Sequence, residues 1–170
     1  RWVRDRYLFT GADQTRAFRE WRLLQKLWSR QMRVPQPVAA RFCRHGLAYT
    51  ADIITVRLED VVSLSQYIEK SQQDATFWRG LGAAIRDFHA AGVYHADMNA
   101  YNLQIDRAGK LWMLDFDKGA LRAPGPWQQQ TLRRLHRSLQ KIKRLDPQIQ
   151  FADSSWEALL GGYFEASRSA

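Results

Sequence analysis

The sequence has one cysteine, Cys43, among its 170 residues, so an internal disulfide and a cysteine-cluster metal site are both excluded. No run approaches the roughly 18 apolar residues of a membrane-crossing helix. The opening RWVRDRY is charged and aromatic and reads as no secretory signal peptide, which makes a reducing compartment the expectation. Neither an internal repeat nor a low-complexity tract is visible. Acidic side chains are scarce where basic ones cluster: Lys118 to Leu145 holds eight Lys or Arg and no Asp or Glu. The first 33 residues hold nine basic and three acidic ones, and the formal net charge is +9. Such a field draws phosphates, nucleic acid or anionic lipid and does not choose among them; a solvated helix face carries the same pattern. What is abundant is apolar: 45% hydrophobic residues, with seven Trp, eight Phe and six Tyr. That supply excludes a disordered chain and suits one domain or most of one.

Apolar Ala17, Trp21, Leu24 and Trp28 recur at steps of four, three and four, predicting a helix over 14–31 with Asp13 as its N-cap. Pro35 and Pro37 stop it. Residues 38–44 and 48–57 read as strands about a turn at His45-Gly46. A short helix follows from Ser63 to Glu69, then a longer one capped by Asp74, striped by Phe77, Leu81, Ala84, Ile85 and Phe88, and ended by Gly92. Leu103–Ile105 and Leu111–Leu114 read as strands joined by the turn 106–109. Two helices close the chain, one lined by Leu132, Leu135, Leu139 and Ile142, the other by Trp156, Leu159, Leu160, Tyr163 and Phe164. The seam falls near 57–60.

Chemistry concentrates in residues 94–119, YHADMNAYNLQIDRAGKLWMLDFDKG. Asp97, Asn102 and Asp115 stand in loops at the edges of short strands. Asn102 and Asp115 offer two hard oxygen donors, a set that suits Mg²⁺ completed by phosphate oxygens and water. Asp97 is then free to orient a hydroxyl and accept its proton, the division of labour that phosphoryl transfer needs.

The spacing resembles the protein-kinase signature H-R-D-x-x-x-x-N followed by D-F-G, here His95-Ala96-Asp97, Asn102, then Asp115-Phe116-Asp117. The resemblance implies an α+β, protein kinase-like two-lobe fold, with 1–58 a remnant of the small lobe and 59–170 the mostly helical large lobe. It implies ATP and Mg²⁺ as cofactors, and it matches Glu20 to the glutamate that pairs with a nucleotide-binding lysine. It places Val56 and Leu58 in the hinge whose backbone meets adenine. His95 is assigned to bracing the loop. Ala96, Asn99 and Asp117 depart from the regulated protein kinases, and no A-P-E motif follows.

HADMNAYN, LDFDKG, RDRYLFTG, RAFREWRLL and VPQPVAAR resemble the bacterial lipopolysaccharide-core kinases that act on 3-deoxy-D-manno-octulosonic acid (Kdo). That resemblance implies transfer of the ATP γ-phosphate to a Kdo hydroxyl on a lipid A precursor, at the cytoplasmic face of the inner membrane, as a peripheral protein. Segment 118–145 would then lie against anionic head groups or the phosphates of lipid A, with no nucleic-acid partner. Asn99, Asp117 and Lys118 are candidate substrate contacts, Lys118 being equally readable as one more solvated lysine. No glycine cluster or V-A-x-K-like strand precedes Glu20, so the first strands of the small lobe, roughly sixty residues, are expected to lie outside this chain, which as written should bind Mg²⁺-ATP poorly. A RIO-type atypical kinase and a non-catalytic kinase-like binding module are the competing readings.

Overall fold

A computed structural model describes residues 7–165. Helix α1 spans Arg16–Ser29. Asp13 does not cap it: residues Ala12–Gln14 form a 3-10 turn, Thr15 takes the cap position without a side-chain capping bond, and the Asp13 carboxylate pairs with Arg22. The buried face is also rotated from the expected stripe. Ala17, Leu23, Leu24 and Leu27 are buried, whereas Trp21 is half-buried and Trp28 exposed. At 3.6 residues per turn the mean direction of those four falls on Glu20. The rotation therefore turns a carboxylate inward, and it explains why the tryptophans, which can cover a surface without entering it, mislead the pattern.

After α1 the chain forms the hairpin β2 (Pro37–His45) and β3 (Ala48–Thr55). A short strand β1 (Tyr7–Leu8) pairs antiparallel with the other edge of β3, giving the order β1-β3-β2. Helix α1 lies against this sheet, and Tyr49 of β3 accepts the Arg16 N–H on its hydroxyl at 2.9 Å.

Beyond the seam, β4 (Val61–Ser63) leads into α2 (Leu64–Lys70) through a capping box in which Ser63 and Gln66 satisfy each other's backbone N–H. Helix α3 (Ala75–Ala90) begins where Asp74 accepts the Phe77 N–H at 2.8 Å. It ends before Gly92, whose φ of 77° is open to glycine. Four short strands carry the loops: β5 (Val93–Tyr94), β6 (Leu103–Asp106), β7 (Leu111–Met113) and β8 (Ala120–Leu121). They form the sheet β4-β6-β7 and the pair β5-β8. Helices α4 (Trp127–Leu145) and α5 (Asp153–Glu165) complete the fold.

The α3–α5 crossing is close because glycines face each other's backbones. A Cβ on Gly82 would lie 1.9 Å from the Leu159 carbonyl oxygen, and one on Gly162 would lie 2.0 Å from that of Arg79. One apolar core joins Leu24 and Leu27 of α1 to Leu103 and Met113 of the second sheet, Leu135 of α4 and Leu159 of α5. Helix α1 thus rests on both sides of the seam, and this brings Glu20 to the loop after β7.

Candidate active site

The loop between β5 and β6 is built around a buried imidazole. His95 is 1% exposed, its Nε2 lies 2.7 Å from the Leu114 carbonyl, and its Nδ1 accepts the Asp97 N–H at 3.2 Å. A carbonyl only accepts, so the proton sits on Nε2. Burial lowers the ring's pKa and keeps it neutral. Phe116 packs on the ring with centroids 5.1 Å apart. One side chain thus ties the Asp97 loop to the Asp115 loop.

Asn99 closes the other side. Its Oδ1 accepts the N–H groups of Tyr101 (2.8 Å) and Asn102 (3.0 Å), while its Nδ2 donates to the Asp97 carboxylate at 3.0 Å. Asn102 donates from Nδ2 to the Asp97 carbonyl at 2.9 Å, which leaves its Oδ1 as the outward group. The β6–β7 register, Leu103 opposite Met113, continues one rung as Leu114 N–H donates to the Asn102 carbonyl at 2.9 Å. Asn102 and Asp115 therefore leave adjacent strand ends side by side.

Asp115 has φ of 60°, a left-handed conformation that aspartate tolerates better than most residues. The turn sends the chain back under α1. Glu20 accepts the Phe116 N–H at 3.2 Å, and Arg16 pairs with Asp117 and with the Tyr7 hydroxyl. Desolvation first, then the Asp115 and Asp117 charges, raise the Glu20 carboxyl to about 6. A cleft of about 300 Å³ opens here, lined in part by Tyr7, Glu20, Tyr49, Asp117, Lys118 and Gly119. Lys118 is exposed and has φ of 57°.

Asp97 projects outward with its side chain 56% exposed, and Arg134 of α4 donates to its Oδ1 at 2.9 Å. Hydrogen bonds join Asp97, Asn99 and Asn102, and the Leu114–Asn102 rung carries on to Asp115; none of these four lines the cleft, which Glu20, Asp117 and Lys118 do. Val56 and Leu58 lie in the connector from β3 to β4 and do not line that cleft; the Val56 N–H is committed to the Gln36 carbonyl at 2.8 Å. Among the described residues no group of three or more His, Cys, Asp or Glu could hold a metal. The donors at hand are the Asn102 amide oxygen and the Asp115 carboxylate, a hard-oxygen pair that fits Mg²⁺ sharing its shell with phosphate and water. Arg16 and Arg134 escaped the sequence reading. Arg16 had one signal, its place four residues before Glu20; Arg134 had none beyond a basic helix.

The model of the lipopolysaccharide kinase (Kdo/WaaP) family matches residues 1–163. The chain is 45% identical over 141 residues to the 3-deoxy-D-manno-octulosonic acid kinase of Xanthomonas axonopodis pv. citri (strain 306), covering 82% of this chain and 56% of that one. The protein of the same name from Xylella fastidiosa (strain 9a5c) matches with the same identity and coverage. The chain thus spans about half the length of the curated relatives it matches. With a kinase-type loop pair braced by one histidine and a family match over nearly its whole length, the chain belongs to the lipopolysaccharide kinase (Kdo/WaaP) family and has a protein kinase-like fold.

Proposed function

We propose that this chain carries the catalytic centre of an ATP-dependent kinase that phosphorylates a hydroxyl of a Kdo sugar on a lipid A precursor. The observation that supports the reading is that Asn102 is tied to the backbone of the exposed Asp97 and leaves a strand end adjacent to that of Asp115. In this reading Asp97 aligns the acceptor hydroxyl and takes its proton as the oxygen bonds to the γ-phosphorus and the bond to the bridging oxygen breaks, releasing ADP. Asn102 and Asp115 hold Mg²⁺, which supplies charge neutralisation when bound. Glu20 fixes the backbone after Asp115 and faces the nucleotide side. Val56, through its carbonyl since its N–H is held by Gln36, and Leu58 present hinge backbone groups to adenine, residues 1–58 being the small-lobe part and 59–170 the large lobe. His95 braces the loop; Asn99 stands beside Asp97 at the acceptor side, and Asp117 and Lys118, which line the same cleft as Glu20, are the further candidate substrate contacts.

No helix among the described residues is long and apolar enough to cross a membrane. A peripheral placement at the cytoplasmic face of the inner membrane suits a lipid-borne acceptor and the basic α4. The relatives named above favour the sugar kinase over a RIO-type kinase or a non-catalytic module.

The test is transfer of labelled γ-phosphate by the protein extended upstream of Arg1 to include the first small-lobe strands, with a Kdo-bearing lipid A precursor and a 30S ribosomal preparation as rival acceptors. Label is expected in the lipid alone. Asp97→Asn should lower kcat by about 10²–10⁴ with unchanged circular dichroism, since that is the range a positioned proton acceptor contributes. Label in the ribosomal fraction, or full turnover by the variant, refutes the reading.

A further inference from the structure

The loop of residues 95–102 is not held by its own lobe strands alone. Helix α4 docks on it through two side chains four residues apart, hence on one helical face. Ser138 accepts the Ala100 N–H on its hydroxyl at 3.1 Å, and Arg134 donates from one terminal nitrogen to Asp97 Oδ1 at 2.9 Å. The Ser138 contact fixes the helix against the loop. The Arg134 contact does something different, because it engages the carboxylate at which the acceptor hydroxyl must arrive.

That contact uses one of the five N–H donors of a guanidinium. The side chain is 48% exposed and lies beside a carboxylate that is 56% exposed. A guanidinium in this posture can keep Asp97 and still present its planar fork to a second anion, the geometry that suits a carboxylate. Asn99, two residues after Asp97, carries no charge, so the loop itself brings no cation to this carboxylate. Helix α4 brings it instead. The relatives are named for a sugar acid, a molecule with a carboxylate a few bonds from its hydroxyls.

We infer that Arg134 is the acceptor-binding residue that recognises the acid group of the sugar, bridging it to Asp97 so that the neighbouring hydroxyl falls at the Asp97 carboxylate. This deepens the kinase reading and rests on it. Holding both anions with one rigid group converts recognition of the acid into alignment of the alcohol. A neutral sugar of the same shape would bind without that alignment.

Wild-type protein, R134K and R134Q, each extended upstream of Arg1 to include the first small-lobe strands, are titrated by saturation-transfer NMR with the free sugar acid and with its methyl ester, and phosphate transfer is followed separately with the same pairs. Arg134 is on an exposed stretch of α4, and circular dichroism checks that the variants fold. For the acid, R134Q should weaken binding and raise KM about ten- to hundredfold, the loss expected for a charge-assisted contact. R134K should recover part of it. For the ester, the binding constants of wild type and R134Q should agree within about twofold, having no carboxylate to lose. An equal loss on acid and ester overturns the inference and leaves Arg134 acting only through Asp97; no loss on the acid overturns it and leaves Arg134 without a part in acceptor binding. Binding that depends on both the arginine and the carboxylate, with no phosphate transfer, upholds the inference and overturns the kinase reading. Transfer that ignores the substitution does the reverse.

Discussion

Glu20 shows how one carboxyl couples the two sides of the fold. Its Oε1 holds the Phe116 N–H, yet Asp115 and Asp117 lie close, and its pKa stands at about 6 instead of the ordinary 4.5. A carboxyl raised in this way binds its proton more readily in the folded protein than in the unfolded chain. Its favourable contribution is complete below about 4.5 and is lost as pH rises through about 6. At neutral pH the ionised group therefore costs stability, about 1 kcal/mol once solvent screening of a partly exposed side chain is allowed for. Glu20→Gln keeps an oxygen for the Phe116 N–H and removes the charge. Thermal melts should give the variant a Tm roughly 2–4 °C above wild type at neutral pH. The gain should vanish near about pH 4, where both proteins are uncharged at this position. A variant less stable than wild type at neutral pH would mean that the Arg16 charge, not burial and the two aspartates, governs Glu20.

At the scale of elements, the α3–α5 crossing sets a sharp limit on side-chain size. A methyl group on Gly82 would occupy the Leu159 carbonyl oxygen, and the obstacle is backbone, which cannot swing aside. Gly82→Ala should destabilise by about 2–4 kcal/mol through forced separation of the helices, measured as a fall in urea midpoint. Gly80→Ala serves as the control: nothing lies within 4 Å of its Cβ position, so the same helix should gain slightly from the better helix former. This crossing was invisible in the sequence, because an isolated glycine inside a helical pattern reads only as a weak former. The elements with strong local chemistry were legible: the Asp74 cap, the Gly92 stop, the β2–β3 hairpin and the β6–β7 hairpin carry their reasons within a few residues. The two-residue strands β1, β5 and β8 were not, since their pairing is decided by partners far along the chain. The same division holds at the site. The Asp97, Asn102, Asp115 spacing is a local pattern, whereas the Arg134 contact spans 37 residues and the Glu20 contact 96.

The whole molecule adds a direction to these parts. Arg133, Arg137, Lys141 and Arg144 follow one another at steps of four, four and three along the outer face of α4, opposite the buried Leu135, Leu139 and Ile142. Among the described residues none of these four takes part in an ion pair, so four positive charges lie together where no carboxylate answers them. Arg134 sits on the flank of this stripe and reaches Asp97. A membrane rich in anionic lipid that met the outer face of α4 would therefore lie beside the acceptor side of the candidate site, which is the placement a lipid-borne sugar requires. Each basic residue near such a surface contributes about 1 kcal/mol, and the attraction decays over a Debye length of about 10 Å at 0.1 M salt. The proposed peripheral placement accordingly predicts co-sedimentation with phosphatidylglycerol-rich vesicles at low ionic strength, loss of it as salt rises, and no pelleting with zwitterionic vesicles. Reversing the four charges to Glu should abolish pelleting while transfer to a soluble, delipidated sugar acceptor stays at the wild-type rate, because none of the four touches Asp97, Asn102 or Asp115. Pelleting that survives charge reversal would assign membrane contact to another face and remove the alignment between the basic stripe and the Asp97 carboxylate from the account of how a lipid-bound acceptor is delivered.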